Sequence, residues 1–120
     1  MFNKRRRRCN SVWAFEQLLK RFNEEATFEL WLKTDHGPMI SMLRNEANGF
    51  LMYLRADGDA GFTSRSVQDR SGTATFRLSN GQEDEYPLSR CVDISECYKA
   101  LAAFFSRNGD RPDSILWHAD

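Results

Sequence analysis

Between Asp93 and Pro112 the chain carries its least ambiguous folding instruction. Ile94, Cys97, Tyr98, Leu101, Phe104 and Phe105 recur three and four positions apart, which puts all six on one stripe of an α-helix. Asp93 and Glu96 stand in the D-x-x-E pattern that caps a helix start. At the far end, Gly109 is expected to supply the left-handed residue that stops the helix, and Pro112 to prevent its resumption. A helix with so apolar a stripe is held mainly by a partner layer, and the segments before it supply one.

In "ATFELWLK", Phe28, Leu30 and Leu32 alternate with Thr27, Glu29, Trp31 and Lys33, the period of a strand with one buried face. Met39–Leu43 and Gly49–Arg55 read as the second and third strands, after the turn Asp35–Pro38 and around the connection "NEANG". Asp57-Gly58-Asp59 then bends the chain into a short fourth strand, "AGFTS". Ala74, Phe76 and Leu78 alternate ahead of Asn80-Gly81, which tolerates the positive φ angles of a two-residue hairpin turn, so Gln82–Tyr86 should pair back. Pro87 limits that strand or holds it to an edge, and "SILW", Ser114–Trp117, is a last short strand. Near the start, Asn10 or Ser11 caps a first helix marked by Val12, Phe15, Leu18, Leu19 and Phe22. The expectation is a single α+β domain: a mostly antiparallel sheet of about five to seven strands packed against an N-terminal and a C-terminal helix. Residues 1–9 read as a basic, disordered leader and 10–120 as the domain, with no repeat or linker dividing it.

At 120 residues the chain can bury one sizeable core without staples. Cys9, Cys91 and Cys97 form neither an even framework nor a C-x-x-C pair, so disulfides and a zinc knuckle are not indicated and a reducing cytoplasm is expected. No apolar run approaches the ~18 residues of a membrane span, and the basic opening runs into Glu16, Lys20 and Arg21 rather than a signal-peptide core. The zero net charge hides an asymmetry. Five of the 17 basic residues fall at Lys4 to Arg8, which leaves 12 against 17 acidic ones and a body near −5. A small regulatory or nucleic-acid-binding module using that arm is the alternative reading. No aromatic residue is interleaved with the arginines, however, and an acidic body repels phosphate, so direct nucleic-acid binding is not expected.

The candidate chemistry is thin. Asp57-Gly58-Asp59 resembles the opening of a calcium loop, but the third acidic ligand and the closing glutamate are missing. "GDAG" lacks the Lys and Ser/Thr of a phosphate loop. His36 and His118 have no serine or cysteine placed beside them by a nucleophile motif. Glu83, Asp84 and Glu85 lie on an alternating strand, so Glu83 and Glu85 share one face while Asp84 takes the other. Cys91 and Cys97 suit core packing. No enzyme, cofactor or metal site is called for. Aromatic residues next to acidic ones are instead material for a protein interface.

Four stretches, "GFLMYLRADGDAGFTSR", "FRLSNGQEDEYPLSR", "ALAAFF" and "NGDRPDSILWHAD", closely resemble in this order and spacing a family of small actinobacterial immunity proteins. It is the first-numbered immunity family of bacterial polymorphic toxin systems, often encoded beside toxins with a nucleic-acid deaminase domain. The resemblance covers about Gly49 to Asp120, and the basic leader departs from it. It implies an α+β domain without enzymatic activity that binds a cognate toxin in the cytoplasm and blocks its active site. The motif residues map to Gly58, Asp59, Ala60, Gly61 and Phe62, to Asn80, Gly81, Asp84, Glu85, Tyr86 and Pro87, and to Pro112 and Trp117. Asp57, Asp59, Glu83, Asp84 and Glu85 are expected opposite basic residues of the toxin, with Phe62, Tyr86 and Trp117 as apolar anchors. Gly58, Gly61, Asn80, Gly81, Pro87, Gly109 and Pro112 are expected to shape the fold. Two alternatives stay open: Asp59 either caps its own turn or reaches a partner, and Trp117 is either an anchor or core.

Overall fold

The computed structural model describes residues 11–120, apart from positions 69 and 79 and the side chain at position 12; the expected leader over residues 1–9 lies outside the described residues. Helix α1 (Val12–Asn23) is capped by Ser11, whose Oγ accepts the Ala14 amide at 3.2 Å, and Lys20 and Arg21 suit the negative end of its dipole. Strands β1 (Thr27–Lys33), β2 (Met39–Asn45) and β3 (Asn48–Leu54) follow as an antiparallel meander with Trp31 opposite Ser41 and Met42 opposite Leu51. β4 (Phe62–Arg65) pairs with β3, and β8 (Leu116–Ala119) closes the sheet on β4, two residues later than the expected "SILW". The two-residue β7 (Val92–Asp93) pairs with the start of β3 and leads into helix α2 (Ile94–Ser106).

These strands form a six-stranded antiparallel sheet in the order β1-β2-β3-β4-β8, with β7 beside β3. Both helices cover one face. Phe15 of α1 and Cys97, Ala100, Leu101 and Phe104 of α2 bury against Phe28, Leu30, Ile40, Met42, Leu51 and Tyr53, and Phe15 stacks on Phe105 with centroids 4.4 Å apart. The helical stripe thus does what its spacing predicts. Glu96 departs from the expected capping box. Asp93 caps the helix through the Ser95 amide at 3.3 Å, while Glu96 faces Lys99 at 3.4 Å.

A separate two-stranded sheet, β5 (Thr73–Arg77) with β6 (Glu83–Pro87), lies over β1 and β2 on the opposite face. Leu43, Phe50, Ala74, Phe76 and Cys91 form a second buried cluster there. The molecule is therefore three layers: helices, main sheet, hairpin. Asn80-Gly81 bends that hairpin, but not as a two-residue turn. Leu78 pairs with Gln82, which leaves a three-residue loop in which Gly81 takes a φ of 88° and the Asn80 side chain accepts the Gln82 amide at 2.9 Å.

The end of α2 also differs from expectation. Asn108, at φ 56°, is the left-handed residue; its amide donates to the Phe105 carbonyl at 3.4 Å and the Gly109 amide to that of Phe104 at 2.9 Å, the paired bonds of a Schellman motif. Gly109 follows Asn108 with a positive φ of its own, 97°, and its surroundings restrict it further. A Cβ there would come within 2.9 Å of the Thr34 side chain, and its carbonyl receives the buried Tyr53 hydroxyl at 2.8 Å.

Candidate partner-binding surface

The stretch from Leu54 to Ser66 joins β3 to β4. Its bend is a β-turn closed by the Asp59 amide on the Ala56 carbonyl at 3.1 Å, with Gly58 at φ 81° in the third position, where a type II turn takes a positive φ. Asp59 is fully engaged by its own loop. Its carboxylate accepts the Arg55 backbone amide at 3.0 Å and is gripped by Arg55 Nε and Nη2, each at 2.9 Å. The Arg55 hydrogen bonds hold the Asp59 carboxyl well below the usual carboxylate range, and Asp59 in turn raises Arg55. In the free protein, then, Asp59 ties its own turn.

A depressed carboxyl stabilises the folded state above the unfolded carboxylate pKa of ~4 and loses that contribution as pH falls through it toward the folded value. Asp59→Asn is therefore expected to lower the urea midpoint at pH 7, with the gap to the native protein narrowing between about pH 4 and pH 3. A gap that stays constant with pH would show that the Asp59 charge contributes nothing.

Phe62 is half-buried against Tyr53, and the guanidinium carbons of Arg111 and Arg55 lie 4.6 and 5.5 Å from its ring centre. Trp117 is half-buried on the helix side; its Nε1 donates to the carbonyl of fully buried Pro112 at 2.7 Å, and its ring lies 6.2 Å from that of Tyr53. The Asp120 amide donates to the Gly61 carbonyl at 3.0 Å. The "GDAGF" stretch and the C-terminal Pro112 and Trp117 therefore converge on Tyr53, where they clasp β3, β4 and β8 together. Tyr86 likewise points inward, stacked on Phe50 at 4.1 Å. None of the three expected anchors, Phe62, Tyr86 and Trp117, projects freely from the surface.

The expected carboxylates divide in two. On β6, Glu83 and Glu85 are exposed on one face, while Asp84 turns inward beside Tyr86 and accepts Gln82 Nε2 at 3.1 Å. Asp57, at the tip of the β3–β4 turn, is exposed. The charges available to a partner from this set are accordingly Asp57, Glu83 and Glu85. Pro87 ends β6, at an edge as expected.

Sequence reasoning passed over the exposed large apolar side chains, Trp13, Val67 and Leu116. Trp13 had a readable signal, since it falls off the 12, 15, 19, 22 stripe of α1. Cys91 and Cys97 are buried, free thiols whose pKa values are raised by burial, as suits inert packing groups. Among the described residues no group of three His, Cys, Asp or Glu could hold a metal ion, and no helix is long and apolar enough to cross a membrane.

A family model described as immunity protein Imm1 matches residues 23–119. A comparison with curated proteins returns no match.

Proposed function

This chain belongs to the Imm1 immunity protein family, and from that premise we propose that it neutralises a cognate toxin domain in the cytoplasm by covering the toxin's active site. The match across residues 23–119 carries the reading, because it spans all three layers of the fold from the end of α1 to β8. The toxin class we infer is one acting on nucleic acid, a deaminase by the family resemblance of the motifs above. An enzyme of that kind needs a basic channel for the phosphate backbone. Exposed carboxylates on a body near −5 are steered toward such a channel and compete with its substrate.

The contact set proposed is Glu83 and Glu85 on the outer face of β6, with Asp57 at the β3–β4 turn. β6 is a rigid platform for them. Its inward residues are stacked and hydrogen-bonded, so the backbone beneath its outward carboxylates is already ordered and binding fixes only their side chains.

Co-expression with the toxin domain encoded beside it should restore growth, and the two proteins should purify together. Glu83→Lys with Glu85→Lys should weaken the complex by about a hundredfold, mostly through the charge pairs lost and the new like-charge contacts, with dissociation faster and the thermal midpoint only slightly lowered, because position 83 faces Arg77 across the hairpin. Unaltered affinity and protection in that folded double variant would sink the proposed contact face, and failure to bind any neighbouring toxin domain would sink the pairing itself.

A further inference from the structure

On the face of the main sheet away from the helices, β4 and β8 place Thr63 opposite His118 and Arg65 opposite Leu116, whereas their alternate residues Phe62 and Trp117 pack on the helix-side core. The chain after β6 passes beside them. The Ser66 amide donates to the Ser89 carbonyl at 2.7 Å, which fixes the β4 exit against the turn Leu88–Arg90. Between these segments lies a cleft of about 410 Å³ lined by Arg65, Ser66, Gln68, Ser89, Arg90 and His118. All its ionisable lining groups are basic, on a body whose net charge is negative.

The cleft already holds a carboxylate at its rim. Arg90 Nη1 donates to Thr63 Oγ1 at 2.9 Å and lies 3.4 Å from Asp120 Oδ1, which is also 3.9 Å from His118 Nε2. These are long, single-point contacts, unlike the bidentate grip of Arg55 on Asp59, so the Asp120 side chain is a weak occupant. Arg65 is exposed and has no ion pair among the described residues. Val67, 84% exposed, follows it in the chain, and Leu116, 53% exposed, stands opposite it on β8, the last strand of the sheet.

We propose that this cleft and its apolar border form a docking site for an acidic, extended segment of a protein partner, whose carboxylate replaces Asp120 on Arg90 and reaches Arg65. The exposed Leu116 and Val67 favour a peptide over a nucleic acid, since the bordering aromatic Trp117 faces the other side of the sheet and offers bases no stacking surface. The long-range field of the body also disfavours a polyanion more than a short acidic segment.

The test is titration of the isotope-labelled full chain with a capped pentapeptide alternating glutamate with leucine and valine, read by NMR at the arginine Nε–H groups and the amides of β4 and β8. Saturable shifts at Arg65, Arg90 and Leu116 are expected. Arg65→Glu, an exposed change that should leave the fold intact, should weaken peptide binding by at least about tenfold. Asp120→Asn should strengthen it about threefold by removing the internal competitor, an effect that a purely structural Asp120 would not give. No saturable shift, an unchanged affinity in Asp120→Asn, or tighter binding of inorganic phosphate or a single-stranded oligonucleotide at the same resonances would overturn the proposal. No toxin enters this experiment, so its failure and that of the toxin pairing are read separately.

Discussion

Phe50→Ala is expected to lower stability by about 3–5 kcal/mol, the usual range for a buried phenylalanine whose site cannot collapse. Phe50 is 1% exposed on β3, facing away from the helices. It stacks on Tyr86 at 4.1 Å and meets Phe76 at 6.2 Å, so one ring holds both strands of the β5–β6 hairpin to the main sheet. The cluster has only five buried members, Phe50 included, two of them as small as Ala74 and Cys91, and the partly buried Met52, Leu78, Tyr86 and Leu88 packed on it can fill only part of the void. A polar tie to the main sheet that survives, Asn45 Nδ2 to the Thr75 carbonyl at 2.6 Å, cannot replace it. The hairpin should therefore open before the rest of the protein unfolds. Hydrogen exchange should show protection lost first in β5 and β6 while β1 to β3 and α2 stay closed. Since Glu83 and Glu85 stand on that hairpin, toxin affinity should fall with it. An equal loss of protection across all strands would mean that the hairpin and main sheet form one cooperative unit.

That middle layer shows where the sequence was legible and where it was not. The stripe of α2 and the alternation of β1 both mark the face turned to the helix-side core, and both elements bury the faces their periods mark. β2 carried a different signal. Met39 to Leu43 are buried without a break, Ser41 included, because this strand has helices on one side and the hairpin on the other. An unbroken run in place of alternation marks a strand covered on both faces, and read so it foretells the second layer. The opposed faces of Glu83 and Asp84 followed from strand geometry alone. The roles of Asp59, Phe62 and Trp117 did not. They depend on Arg55, Tyr53 and Pro112, contacts made by a particular turn shape and a particular strand order that no local period encodes. β7, two residues long, and the cleft between β4 and β8 likewise exist only through tertiary pairing. An aromatic beside an acid reads the same in sequence whether it faces a partner or a neighbour's ring.

Gly61→Ala is expected to cost about 3 kcal/mol or more, against about 1–2 kcal/mol for Gly58→Ala in the same turn. Both glycines hold positive φ, 78° at Gly61 and 81° at Gly58, so each alanine meets the left-handed penalty. Their surroundings differ. Nothing lies within 4 Å of a Cβ at Gly58, whereas at Gly61 it would sit 2.6 Å from the Tyr53 carbonyl oxygen. That oxygen belongs to β3, and it cannot retreat without straining the pairing of Tyr53 with Phe62. The damage should also spread, because the Gly61 carbonyl receives the Asp120 amide and so helps to hold β8 on the sheet. Displacing it loosens Trp117 from Tyr53 and from Pro112. Thermal unfolding of the two variants should therefore show Gly61→Ala melting of the order of 10 °C lower than the native chain, with Gly58→Ala losing less than half as much. With Trp13 and Trp31 replaced by phenylalanine in both the native and the Gly61→Ala background, the Trp117 fluorescence of Gly61→Ala should move toward its solvent-exposed value before the global transition. Equal losses in the two variants would mean that the close approach to Tyr53 carries no energy and that the turn alone makes these glycines necessary.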